Sequence, residues 1–167
     1  MPTHSAPIRP ARSSDLDDLA RVRAQAVVAS PFYDDAVDES EEFNRFRPRI
    51  VGYFAGTYHP SFAQSARTVV VADGGTVIGF GAAHESTRLG CTGELQWMFI
   101  PPQWQRKGIG LTLLKSLADW FAQVRSTRVI VDAPPGSPGR AFYTRYGALA
   151  LDEYWLYWPD ICQSVSN

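Results

Sequence analysis

The stretch that most constrains what this chain can fold into runs from Glu94 to Gly110. Residues 94–100 read as an apolar strand, Pro101 and Pro102 end it, and residues 103–110 (Gln-Trp-Gln-Arg-Lys-Gly-Ile-Gly) form a short basic turn with two glycines. An amphipathic helix follows over residues 108–124, with Ile109, Leu113, Leu114, Leu117, Trp120 and Phe121 on one side. A strand, a glycine turn and a helix N-terminus together make an anion site. The first helical N–H groups have no partner inside the helix, and its dipole adds positive potential. Gly108 and Gly110 remove side chains that would block a phosphate, while Arg106 and Lys107 add charge. The competing reading is a helix that merely begins after a glycine turn. Neither Gly-x4-Gly-Lys-Ser/Thr nor an early Gly-x-Gly-x-x-Gly occurs, which argues against a nucleoside-triphosphate loop and a dinucleotide fold.

The chain has 167 residues, enough for one well-buried domain and short for two. Hydrophobic residues make up 45% and charged residues 20%, a balance that excludes general disorder. A net charge of −1 provides no overall attraction to nucleic acid or to an anionic membrane surface, so neither is expected as a partner. No apolar run approaches the roughly 18 residues that a membrane helix needs, and residues 1–7 lack the apolar core of a secretory signal. Cys91 and Cys162 lack metal-ligand spacing and read as free thiols. A cytoplasmic protein without a metal is expected.

Around this stretch the elements fall in a simple order. Residues 8–12 read as a first strand. Ser13 or Ser14 can cap a helix whose first turn holds Asp15, Asp17 and Asp18, and Pro31 breaks it. Residues 34–42 carry six acids, read as a solvated loop and helix N-terminus or as a negative wall for a cationic amine. Phe43, Phe46, Ile50, Tyr53 and Phe54 predict a second helix, and residues 56–64, with His59 and Pro60, a loop. Residues 68–72 and 76–84 read as a hairpin about Asp73-Gly74-Gly75, and a turn at 89–93 leads into the strand at 94–100. Gly79 and Gly81 mark a bulge or a close neighbour. Residues 128–131 form a strand parallel to 94–100, joined through the helix as a βαβ unit. A short helix over 139–146 stops at Gly147, and 149–158 form a final aromatic strand ended by Pro159.

With Gln105-Arg106-Lys107-Gly108-Ile109-Gly110 in the basic turn, the chain resembles the GNAT (GCN5-related) N-acetyltransferases, whose cofactor signature is Gln/Arg-x-x-Gly-x-Gly/Ala. Ile100-Pro101-Pro102 is similar to the family's Val-x-Pro approach, and Phe142-Tyr143-Thr144-Arg145-Tyr146-Gly147 to its Phe-Tyr-x-x-x-Gly segment. The resemblance covers residues 7–160. It implies an α/β fold with a mixed, mostly antiparallel central sheet of six to seven strands and about four helices. The expected organisation is a flexible tail over 1–7, one acetyltransferase domain over 8–160 and a C-terminal tail over 161–167.

The resemblance also implies the chemistry. Acetyl-CoA is the expected co-substrate and a primary amine of a small molecule or peptide the acceptor, attacked directly in a ternary complex. Gln105, Arg106, Lys107, Gly108, Ile109 and Gly110 would hold the pyrophosphate, with Met98, Phe99 and Ile100 along the pantetheine arm. Tyr143 matches the family's general acid. Glu94 lies eleven residues before Gln105, the offset of the general base in histone-acetylating members; an exposed strand-end carboxylate is the alternative. Trp97 is a candidate wall of the acceptor pocket or a packing residue, and His84 reads as a sheet residue. Two positions depart from the pattern. Gly136 stands where the family often has Asn, removing a side-chain contact to the cofactor arm, and Ala148 replaces a usual Phe. A non-catalytic acyl-CoA sensor and a transferase of longer acyl groups compete with this reading. The aromatic final strand is a candidate homodimer interface.

Overall fold

The computed structural model describes residues 6–58 and 65–166, so His59 and Pro60 lie outside the described residues. Small β-branched and aliphatic residues fix the centre of the sheet. β2 (Arg67–Asp73) buries Val69 and Val71 on one side and Val70 and Ala72 on the other. β3 (Val77–Glu85) is buried along almost its whole length. Strands covered on both faces require a helical layer on each side.

One layer is α1 (Leu16–Val28) with α2 (Glu39–Ala55), whose Leu19, Val22, Phe46, Ile50 and Tyr53 meet Val69, Val71 and Phe80. The other is α3 (Ile109–Gln123), which lays Leu113, Leu114 and Leu117 against Val70, Ala72 and Leu95. Gly81 is the close neighbour read from the sequence, because a Cβ there would come within 2.8 Å of Leu117. Trp120, read as part of the buried side of this helix, is only half-buried at the margin of the cluster.

The sheet has seven strands in the order β1-β2-β3-β4-β5-β7-β6, with β1 at Ile8–Pro10, β4 at Gly93–Phe99 and β5 at Val129–Asp132. Every pairing is antiparallel except β4 with β5, the parallel pair joined through α3. α4 (Pro138–Arg145) follows β5. No helix among the described residues is long and apolar enough to cross a membrane.

Three local expectations are corrected. Neither Ser13 nor Ser14 caps α1. Asp15 turns back instead, and its carboxylate accepts from Arg12 N–H at 2.7 Å and from Arg9. The aromatic segment 149–158 is not one strand but a hairpin of β6 (Leu149–Ala150) and β7 (Trp155–Trp158). The Asp152 carboxylate makes the turn by accepting from the N–H groups of Tyr154 and Trp155, both at 2.8 Å. Residues 161–165, expected in a tail, form α5 (Ile161–Val165), capped by Asp160 and burying Ile161 and Val165 in the α3 cluster.

Two irregularities in β4 open a cleft in the sheet. Ala82 faces Trp97 but Ala83 faces Leu95, so Gln96 is an extra residue, a β-bulge. In a regular strand residues two apart share a face. Here Leu95 packs with the α3 cluster and Trp97 with the α1–α2 cluster. Pairing of β4 with β5 also ends at Leu95 and Val131 while β4 continues to Phe99. Beyond the bulge, that edge of β4 has no strand beside it.

Candidate active site

At the end of β4 the chain makes a single 3-10 turn over Pro102–Trp104, and Gln105 then extends (φ −71°, ψ 158°). The Gln105 side chain donates to the Ile100 carbonyl at 2.9 Å and braces the turn against the strand. Arg106 follows at φ 60° and Gly108 at φ 83°, both left-handed. Such residues turn successive backbone N–H groups toward one side and form an anion-binding concavity. The first donor of the helix that meets a protein acceptor is Thr112 N–H, bonded to Gly108 O at 3.2 Å. The N–H groups of residues 106–111 meet none among the described residues.

The two glycines act differently from one another. Gly108 is required by its left-handed φ, and a Cβ there would touch nothing within 4 Å. A Cβ on Gly110 would instead press on Phe142 of α4 at 3.2 Å and on Ile100 at 3.4 Å. Gly110 therefore serves the close packing of α3 on α4. Arg106, Lys107 and Gly108 are exposed, and the Lys107 ammonium sits 4.9 Å above the Trp104 ring. The Ile109 side chain is buried in the core, leaving its N–H as the group on offer.

A cleft of about 890 Å³ runs along β4 from this turn. Of the residues singled out in the sequence, Glu94, Trp97, Met98, Phe99, Ile100, Gln105 and Tyr143 line it; residues 106–110 do not and lie beyond its end. Trp97 is half-buried, with its ring 4.9 Å from Phe46 and 5.0 Å from Tyr53, so it floors the cleft on the α2 side.

Glu94 is 5% exposed, not the exposed strand-end carboxylate of the alternative reading. Its Oε2 lies 3.3 Å from His84 Nε2 and 3.7 Å from Arg88 Nε. His84 Nδ1 in turn shares a 3.0 Å hydrogen bond with the Tyr53 hydroxyl. Burial, and secondarily Glu94, push the Tyr53 hydroxyl well above the ordinary tyrosine range. Asp132, at the end of β5 on the same cleft, is also raised, first by burial and then by Glu94.

Tyr143 faces the cleft from α4. Its ring is packed edge-on against Trp158 at 5.6 Å, and its hydroxyl makes no hydrogen bond among the described residues. Burial, with a smaller contribution from Tyr33, raises its pKa, so it holds its proton at neutral pH. A Cβ on Gly139, one turn earlier, would lie 2.7 Å from Tyr143 Cε2; the missing side chain makes room for the ring. Ser137, at the start of α4, lines the cleft with a buried Oγ that has no hydrogen-bond partner among the described residues.

The acids at 34–42 do not form a wall of the cleft. Asp38 caps α2 by accepting from Glu41 N–H at 2.8 Å, and buried Glu42 pairs with Arg23 at 2.6 Å and Arg45 at 3.1 Å. Cys91 is buried, which raises its thiol pKa and makes it a poor nucleophile. Among the described residues no group of three or more His, Cys, Asp or Glu could hold a metal ion. Sequence reasoning missed Tyr53, Arg88, Asp132 and Ser137, and gave His84 no contact with Glu94. One signal was present: the strand read over 76–84 ends at His84 and the next begins at Glu94, which sets the two opposite each other, as the register does.

A family model described as the acetyltransferase (GNAT) family matches residues 29–148. No curated protein matches the sequence. Among solved structures, an acetyltransferase of the GNAT family from Desulfovibrio desulfuricans superposes with a TM-score of 0.71 at 16% identity, covering 93% of this chain and 98% of that one. The PaiA N-acetyltransferase of Thermoplasma acidophilum, solved with coenzyme A, gives 0.63 at 18% identity, covering 91% and 97%. A GNAT acetyltransferase of Brucella melitensis, solved with acetyl-CoA, gives 0.62 at 19% identity, covering 92% and 89%. At these identities the likeness establishes the fold.

Proposed function

The chain belongs to the GNAT family of acetyltransferases, and from that premise we propose that it transfers the acetyl group of acetyl-CoA to a primary amine by direct attack. The observation that carries the reading is the placement of two protonatable groups on one cleft. Buried Glu94 comes from β4 and Tyr143 from α4, and both line the cleft beside the strand edge that the divergence of β4 and β5 leaves open. Three features fit the co-substrate: among the described residues, N–H groups at 106–111 without acceptors, a Ser137 Oγ without a partner, and a free edge of β4 beyond Leu95. Acetyl-CoA supplies the activated acyl carbon; the chain's own groups bind, orient and move protons.

Residues 105–110 hold the pyrophosphate chiefly through backbone N–H groups, with Arg106 and Lys107 adding positive charge. The main chain of Met98 and Ile100 orients the pantetheine arm along β4, and a main-chain N–H near Met98 polarises the carbonyl. An alkyl ammonium titrates near pH 10, so its proton must be removed at neutral pH. Glu94 accepts that proton, and Tyr143 gives its own to the departing sulfur.

Labelled acetyl-CoA offered with spermidine, kanamycin and lysine-bearing peptides tests the reading. Transfer to at least one amine is expected. Coenzyme A binding without transfer to any amine would make the chain an acyl-CoA sensor. Tyr143→Phe should lower kcat by about 10- to 100-fold and leave KM for acetyl-CoA within about twofold. An unchanged kcat would remove Tyr143 from the reaction.

A further inference from the structure

We propose that His84, seated on the Tyr53 hydroxyl, is a positioning residue that holds the Glu94 carboxylate toward the amine. The inference rests on the reading of Glu94 as the base and adds what aims it. Tyr53, His84 and Glu94 are 0%, 3% and 5% exposed, a row of polar groups from α2 through β3 to β4 inside an otherwise apolar layer. Polar groups at such depth are costly unless each meets a partner.

The nearest contacts to the carboxylate are His84 Nε2 at 3.3 Å and Arg88 Nε at 3.7 Å, both from Oε2, and Glu94 lines the cleft. A carboxylate only accepts, so the neighbouring imidazole nitrogen, Nε2, carries the hydrogen. In the neutral ring Nδ1 is then the acceptor for the Tyr53 O–H at 3.0 Å. Tyr53 thus fixes the tautomer and tilt of His84, and His84 fixes Glu94. Charged groups around the row among the described residues include Arg67, opposite His84 on β2, Arg88, and Asp132 on β5.

The test is a double-mutant cycle on the full chain, with acetyl-CoA and the amine of highest turnover in the panel above. His84→Leu should lower kcat about 10- to 100-fold with KM for acetyl-CoA nearly unchanged. His84→Gln, which keeps an N–H near the Nε2 position, should restore kcat to within about fivefold, and Tyr53→Phe should cost severalfold. In a Glu94→Gln background each change should add less than about twofold, because a residue acting through Glu94 has nothing left to act on. Equal losses in both backgrounds, or a loss confined to KM, would overturn the proposal. If His84→Leu does not fold, Tyr53→Phe, which removes only a hydroxyl, decides the cycle. A Glu94→Gln enzyme with full turnover would instead sink the base reading, and that arm shows it alone. Independently of turnover, ring-nitrogen NMR of His84 should show the Nε2–H tautomer; a proton on Nδ1 would overturn the arrangement.

Discussion

At the scale of single residues, small changes in side-chain volume and charge decide outcomes. Gly139 has no side chain because the Tyr143 ring occupies that space, 2.7 Å from where a Cβ would stand. Gly139→Ala gains about 0.5–1 kcal/mol of helix propensity, yet it must push the ring away from the cleft. We expect kcat to fall about tenfold with KM for acetyl-CoA unchanged, and no further loss in a Tyr143→Phe background. Steady-state kinetics of the two variants checks this. Asp15 shows the pH counterpart. The Arg9 guanidinium, aided by Arg12 N–H, holds its carboxyl below the usual carboxylate range against the cost of burial. With the folded pKa below the unfolded value of about 3.9, this stabilisation is complete above that pH and is lost as pH falls through the folded value. Asp15→Asn should therefore cost about 2 kcal/mol at pH 7. The gap between the two proteins should narrow as pH falls below the unfolded value of about 3.9, as measured by urea unfolding across that range.

At the scale of elements, the Gln96 bulge and helix α5 carry the most information. The bulge places Glu94 and Trp97 on one face although they stand three apart, and it lies where β4 leaves β5. A bulge beside a site re-aims side chains in this way. Helix α5 has only five residues, too short to be stable alone. Its Asp160 cap and the burial of Ile161 and Val165 against α3 hold it. Ile161→Ala should cost about 2–4 kcal/mol, read from the urea midpoint. A change below 0.5 kcal/mol would return residues 161–167 to the status of a tail.

At the scale of the whole molecule, the sheet is covered on both faces and its interior opens where β4 and β5 part beyond Leu95 and Val131. The net charge of −1 gives no general pull on an anion. On the proposed reading, attraction for coenzyme A comes from the turn at 105–110. Coenzyme A at a hundred times its Kd should add about 2.7 kcal/mol of stability, seen as a rise in Tm. In Arg106→Gln/Lys107→Gln the rise at the same concentration should be smaller, with a weaker dependence on salt. An equal rise in both proteins would place binding elsewhere.

The sequence by itself determined the features set by short-range rules. The periodicity of α1, α2 and α3 and the hairpin at Asp73-Gly74-Gly75 were legible because each depends on neighbours a few residues apart, and the parallel β4–β5 pair followed from the order strand, helix, strand. Helix α2 was legible even though it contains Pro48, since Phe46, Ile50 and Tyr53 keep their stripe across it. Only the tertiary structure decided which groups meet. Residues 94–99 are largely apolar on both faces, so their alternation could not disclose a one-residue bulge. The acids at 34–42 read alike until Arg23, nineteen residues before Glu42, claimed one of them. Tyr53, His84 and Glu94 come from three elements and converge because desolvated polar groups must find partners, a requirement that acts through space and leaves no local pattern along the chain.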